Sequence, residues 1–392
     1  MLTQRRPRTA INREDVAGPA LFKGLETPER EGKRSMRQYD NSNAMMALAE
    51  CVTPGGGATL SKQPHNYPRG AHPLLLREAH GCRVVDVDGN EYVDWLLALA
   101  STGLGWGHTA VVDAVKPYLG FPSLSLPHPL EQAYFEKMIQ VIPCAEMIRT
   151  VKTGSESTEA AARIARAYTG RDVILSSGYH GWGSQWAGTN EYCPGVPAQF
   201  KDMVRPFGHN DLERAQRLAK DTEGRVAAVI VEPTLLEPPA PGYLEGLRAL
   251  CDEIGALLVF DEMITAFRWA LSGGQEYFGV TPDLACFGKA CASGYPLAFV
   301  AGRRDVMERW GRLVSGTYGG ELVSIAAADA TLRVYQERGV VAHMWRIGRV
   351  LQDELRAVFA GYRGGPSLKF SVTGYPVHPR VAVHEGTGPI AP

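Results

Sequence analysis

The 392-residue chain is 45% apolar and 21% charged, the makeup of a globular protein with enough core for two to three domains, and disorder is not expected. Its 41 basic and 42 acidic residues leave a formal net charge of -1, so no overall field favours nucleic acid or an anionic membrane, and a small-molecule partner is expected. Seven cysteines without a C-x-x-C pair and ten histidines without H-E-x-x-H exclude a zinc ribbon and a disulfide framework, so no metal is expected.

The start, "MLTQRRPRTAINREDVAG", is basic but lacks an apolar segment, so no secretory signal is read there. No apolar run reaches the roughly 18 residues of a membrane helix, and a cytoplasmic location is expected. Residues 1 to about 45 read as a loosely held polar arm with one helix near "NSNAMMALAE". "CRVVDVDGNEYVDWL" alternates around Asp88-Gly89, which predicts a hairpin. From Met147 the text becomes short apolar runs: "MIRTVKTG", "RDVILSSG", "RVAAVIVEP", "ALLVFDE" and "DLACFGK". Amphipathic stretches between them, "STEAAARIARAYTG" and "LEGLRALCDEIG", end in glycine as helices do. Apolar runs alternating with helices predict an α/β fold with a mostly parallel sheet covered on both faces. After Val314 come two helices and a last strand-like run, "SLKFSVTG".

In open α/β sheets, ligands bind beyond the carboxyl ends of the strands. Gly154-Ser155-Glu156, Glu232, Asp261-Glu262 and Lys289 all fall at such ends. Asp261 leaves a buried strand, where an unpaired carboxylate is strongly disfavoured, so it needs a cationic partner or caps the next helix. Lys289 stands among Ala, Cys, Gly and Phe, where a desolvated ammonium loses its proton readily and becomes a nucleophile; taken alone, such a lysine is more often a snorkelling surface residue. Gly154 and Ser155 open an alanine-rich helix whose first turn suits phosphate, or is plainly capped by Ser155 or Ser157. Tyr179 in "YHGWG" offers an aromatic face, and "SGTYGGE" with Thr317 either binds phosphate or merely turns. "GLGWGH" lacks the spacing of a dinucleotide fingerprint.

In this order "GSESTEAAARIARAYTGR", "GYHGW", "VIVEP", "LLVFDEMITAFR", "PDLACFGKACASGYPL" and "SGTYGGE" resemble the class III aminotransferases that use pyridoxal 5'-phosphate (PLP), nearest the glutamate-1-semialdehyde aminomutase branch. The resemblance implies fold type I, with a seven-stranded-type sheet and a smaller α+β domain from both chain ends. It divides the chain into an arm (1–45), the N-terminal part of the small domain (46–105), the large PLP domain (106–314), and an interface loop with a shortened C-terminal part (315–392). It implies that Lys289 forms a Schiff base with the cofactor and that Asp261 pairs with the pyridinium N–H. Met263 and Tyr179 would cover the two ring faces, Gly154 and Ser155 would hold the phosphate, and Glu232 would stand near cofactor and substrate. Thr317 would reach the phosphate of a neighbouring subunit in a homodimer. An amino donor and a carbonyl acceptor would share the site, with pyridoxamine 5'-phosphate as the intermediate form. An aminomutase, moving the amine within one molecule, is the alternative reading, and a PLP-fold protein without turnover is a third. Lys62 stands where the mutase branch carries a carboxylate-binding Arg, and "SGTYGGE" differs from the mutases' Asn-Pro version; both lean toward an aminotransferase.

Overall fold

The computed structural model describes residues 37–68, 72–189, 193–362 and 368–385, so most of the expected arm lies outside the described residues. The chain divides into two compact units, Met1–Trp95 and Leu96–Pro392.

In the first unit a helix, Asp40–Val52, accompanies three antiparallel strands, β1 (Leu76–His80), β2 (Arg83–Asp86) and β3 (Glu91–Val93). The predicted hairpin is the β2–β3 turn. Asp86 organises it by accepting the N–H groups of Asp88 and Asn90 at 3.0 and 2.8 Å and the Tyr92 hydroxyl at 2.8 Å. Asp88 in turn accepts the N–H groups of Asn41 and Ser42, two donors that a helix start leaves without an intrahelical partner.

The second unit is built on seven strands: β4 (Met147–Val151), β5 (Val173–Ser177), β6 (Val204–Pro206), β7 (Val226–Val231), β8 (Leu257–Asp261), β9 (Leu284–Phe287) and β10 (Ala298–Gly302). Their order in the sheet is β4-β10-β9-β8-β7-β5-β6. The sheet is parallel except at β10, which runs antiparallel to both β4 and β9. The five apolar runs all form strands. Two further strands were not anticipated, three-residue β6 and antiparallel β10.

Side chains alternate across this sheet and both faces are covered, which explains unbroken apolar runs. Leu258 and Phe260 of β8 join one core with the helices Tyr243–Ile254 and Leu322–Arg338, while Leu257 and Val259 join another with the helix Gly154–Thr169. Beyond β8, the buried Glu262 carboxylate accepts the N–H groups of Gly274 and Gln275 at 2.6 and 2.9 Å, tying the long β8–β9 connection back on itself. Glu262→Ala leaves these donors stranded in the interior and is expected to cost about 3 kcal/mol, readable in a urea melt.

The terminal run differs from expectation. "SLKFSVTG" is the first arm of a hairpin, β11 (Leu368–Tyr375) followed by β12 (His378–Glu385), rather than a last lone strand. The alternating Val381 and Val383 carried that signal.

Candidate functional site

Parallel pairing brings the ends of four strands to one edge. Ser177 of β5 registers with Val231 of β7, Val231 with Phe260 of β8, and Asp261 with Cys286 of β9. Two antiparallel steps through β10 give β4 the same direction, so the segment after it emerges at this edge too. The edge therefore receives Gly154, Tyr179, Glu232, Asp261 and Lys289.

Asp261 is only 3% exposed. Its Oδ1 accepts the Met263 N–H at 3.2 Å, and its Oδ2 lies 2.8 Å from His180 Nδ1. A carboxylate only accepts, so Nδ1 carries the proton and donates it. Sequence reading passed over His180 in favour of its neighbour Tyr179, although both follow β5 at the ligand-facing edge. His180 is itself held, since its carbonyl accepts the Thr158 hydroxyl at 2.6 Å and its ring meets Trp186 edge-on at 5.3 Å. The opposite ring nitrogen, Nε2, is buried without a hydrogen-bond partner.

Lys289 follows β9 with a left-handed φ of 47°, a conformation that disfavours side chains with a Cβ and is found where function fixes the backbone. Burial pushes its ammonium below the ordinary lysine range; the carboxylates of Asp261 and Glu232 pull the other way, and the Arg268 cation adds to the depression. Glu232 is shifted upward, first by burial and then by Asp261. These mutual influences put the lysine and the two acids within electrostatic reach of one another.

Glu232 also shapes the loop after β5. Its Oε1 accepts the Tyr179 N–H at 2.9 Å, while a Cβ on Gly178 would lie 2.7 Å from that oxygen. Gly178 has φ +114°, so alanine there meets both backbone strain and a crowded carboxylate. Gly178→Ala is expected to lower stability by about 1–3 kcal/mol, measured by denaturant titration, with the loop after β5 displaced.

The helix Gly154–Thr169 is capped by neither of the expected serines. Thr153 is its N-cap, in a reciprocal box with Glu156. This frees Ser157 to bond the Phe299 carbonyl at 2.7 Å and Ser155 Oγ to accept the Trp182 N–H at 3.3 Å. Gly154 and Ser155 occupy the first two helical positions, whose N–H groups have no intrahelical partner. Met263 packs between Gly154 and Gly288, its Sδ 3.0 and 2.7 Å from where their Cβ atoms would be. Tyr179 is 71% exposed and its ring is free to cover a ligand.

Thr317 lies in the loop that is bonded to β4 near its end, the Gly320 N–H donating to Thr150 Oγ1 at 3.1 Å. It is exposed in the loop after Val314 and lines a cavity of about 320 Å³ with Ser123, Arg149 and Thr150, which none of the strand-end residues lines. Lys62 lies exposed in a short turn of the first unit. Among the described residues no group of His, Cys, Asp or Glu is arranged to hold a metal, and no helix is long and apolar enough to cross a membrane.

Comparison with known proteins gives a consistent picture. A family model described as aminotransferase class-III matches residues 66–364. A glutamate-1-semialdehyde 2,1-aminomutase of Syntrophobacter fumaroxidans is 38% identical over 83% of this chain and 79% of the relative. A 3-aminobutyryl-CoA aminotransferase of Cloacimonas acidaminovorans is 35% identical over 81% of this chain and 78% of its own length. Among solved structures, the FumI protein of Sphingopyxis sp. MTA144 in its PLP internal aldimine form superposes with a TM-score of 0.80 at 27% identity, covering 88% of this chain and 83% of that one. An omega-transaminase from Sphaerobacter thermophilus gives a TM-score of 0.78 at 25% identity, over 88% and 83% of the two chains.

Proposed function

The chain belongs to the class III aminotransferases, whose cofactor is pyridoxal 5'-phosphate, and from that premise we propose that it moves an amino group from a donor amine or amino acid to a carbonyl acceptor. The observation that carries the proposal is the pairing, at neighbouring strand ends, of a buried carboxylate with a lysine of lowered basicity.

The residues present fit the cofactor. Asp261 supplies an anion for a ring N–H, Lys289 an amine for the aldehyde, and the first turn at Gly154 and Ser155 two free N–H donors for the phosphate. When bound, PLP supplies an electron sink for charge developing on the carbon that carries the amine. Asp261 keeps the ring nitrogen protonated, and His180 holds that carboxylate in place. With the cofactor bound, Lys289 would take the proton from the amine-bearing carbon and later return it. Met263 and Tyr179 would cover the two faces of the ring, and Glu232 would stand near cofactor and substrate. Residues 106–314 form the cofactor-binding domain in this reading. Thr317 contributes to the phosphate site of a second subunit in a homodimer. A cytoplasmic location is part of the same proposal.

The depressed basicity of Lys289 has a readable consequence. Only the neutral amine attacks the aldehyde, so the rate of PLP attachment to cofactor-free protein should climb with pH and level off below the ordinary lysine pKa of about 10.4. A rate still rising tenfold per pH unit at pH 10 would contradict the assignment.

The experiment that tests the function is a half-reaction screen of amines, amino acids and amino sugars, scored by loss of the near-visible band of the lysine-bound cofactor. Conversion to pyridoxamine 5'-phosphate by one of them, reversed by a carbonyl compound, is expected. No conversion by any would leave a cofactor-binding protein without turnover. A second reading, amine migration within one molecule, is favoured by the 38% identity to an aminomutase. It requires a single γ- or δ-amino carbonyl compound to isomerise with no added donor.

A further inference from the structure

The loop that follows β5 encloses a cavity of about 140 Å³, with His180, Trp186, Ser176 and Thr189 in its wall. None of Gly154, Asp261, Met263 and Lys289 lines it, so it lies apart from the cofactor cradle. His180 and Trp186 are each 3% exposed, and their rings meet edge-on at 5.3 Å. Neither His180 Nε2 nor Trp186 Nε1 has a hydrogen-bond partner among the described residues, a costly state for buried polar atoms. The two nitrogens differ in kind. An indole N–H only donates, whereas Nε2 offers a lone pair, because the proton of the neutral imidazole sits on Nδ1 and is given to Asp261 at 2.8 Å.

The loop is pinned on both sides of His180. Glu232 accepts the Tyr179 N–H at 2.9 Å, the Thr158 hydroxyl donates to the His180 carbonyl at 2.6 Å, and Ser155 Oγ accepts the Trp182 N–H at 3.3 Å. A Cβ on Gly181 would already meet Ser155, so the loop has no slack in that direction. Collapse of the loop onto the two nitrogens would break these bonds. The cavity is therefore a built feature of the loop, with a donor and an acceptor in one wall.

We propose that this cavity binds water, one molecule of which accepts the Trp186 N–H and donates to His180 Nε2, and that Trp186 is thereby a positioning residue for Asp261. Water fits the wall because it donates and accepts at once. A cation lacks the lone pair that the indole N–H needs, and an anion lacks the hydrogen that Nε2 needs. The volume is well above the roughly 10–15 Å³ that one buried water requires, and Ser176 and Thr189 bring hydroxyl groups to the same wall for its remaining bonds. A bonded Nε2 fixes the imidazole rotation, and with it the Nδ1–H that holds the carboxylate of Asp261. The inference rests on Asp261 as the partner of the cofactor ring nitrogen and deepens that reading.

The test is nuclear magnetic resonance of protein carrying heavy nitrogen in histidine and tryptophan, cofactor-free and PLP-loaded, as wild type and as Trp186→Phe. Phenylalanine keeps a flat ring and loses the N–H, so a purely packing role for Trp186 would leave the histidine signals in place. In the wild type, the Trp186 indole proton should exchange magnetisation with a bound water. His180 Nε2 should give the signal of a lone pair that accepts a hydrogen bond. In Trp186→Phe that signal should move toward the unbonded position, and the Nδ1 proton should exchange with solvent at least about tenfold faster. Turnover by the PLP-loaded variant should fall about three- to fivefold. A His180 protonated on both nitrogens, an indole proton that meets no water, or variant histidine signals identical to wild type would overturn the proposal and leave the aminotransferase reading standing. Should Trp186→Phe fail to fold, the wild-type spectra decide alone. If no amine reacts with the PLP-loaded wild type, the aminotransferase reading fails, and the cofactor-free spectra still judge the water site.

Discussion

Replacing Lys289 by alanine is expected to leave a folded protein that still takes up PLP but turns over at least about 10⁴-fold more slowly. The side chain is asked to anchor the cofactor and to carry the proton at the amine-bearing carbon. Both roles depend on an amine that burial has made easier to deprotonate, against the opposing charge of Asp261 and Glu232. Alanine removes both roles and leaves Asp261, His180 and the helix start at Gly154 in place, so affinity should fall less than rate. Added primary amines such as ethylamine should restore part of the turnover by substituting for the missing proton carrier. A Lys289→Ala protein within tenfold of wild-type activity would mean that another residue does this work.

The second large effect belongs to Asp261. Asparagine keeps an oxygen for His180 Nδ1–H and for the Met263 N–H, so the hydrogen bonds at 2.8 and 3.2 Å can persist while the negative charge goes. Asp261→Asn should therefore fold normally, hold PLP and lose about 10²–10³-fold in turnover, the typical worth of one preorganised electrostatic partner in a buried site. His180→Phe should cost less, about tenfold, because the charge remains and only its orientation is loosened. Equal losses in the two variants would assign the effect to shape rather than to charge.

The large-domain strands were legible because burial on both faces writes them as unbroken apolar runs, as in Leu257–Phe260. Asp261 and Lys289 were legible for a related reason, each being a charge directly after such a run. β6 was not, since three residues with an arginine among them carry no pattern, and the antiparallel sense of β10 depends on its neighbours rather than on its own sequence. The helix cap fell on Thr153, ahead of both Ser155 and Ser157, because Thr153 and Glu156 form a reciprocal box that the two serines do not. His180 was signalled by its place after β5 but overshadowed by the adjoining tyrosine. Trp269 and His378 could not be paired from sequence, since only the folding back of the terminal hairpin brings their rings together.

The most direct measurement is borohydride reduction of the PLP-loaded protein followed by peptide mass analysis. The cofactor mass should appear on the peptide containing Lys289 and on no other. Its recovery on a different lysine, or the absence of any fixed cofactor from a protein that shows the near-visible band, would contradict the account.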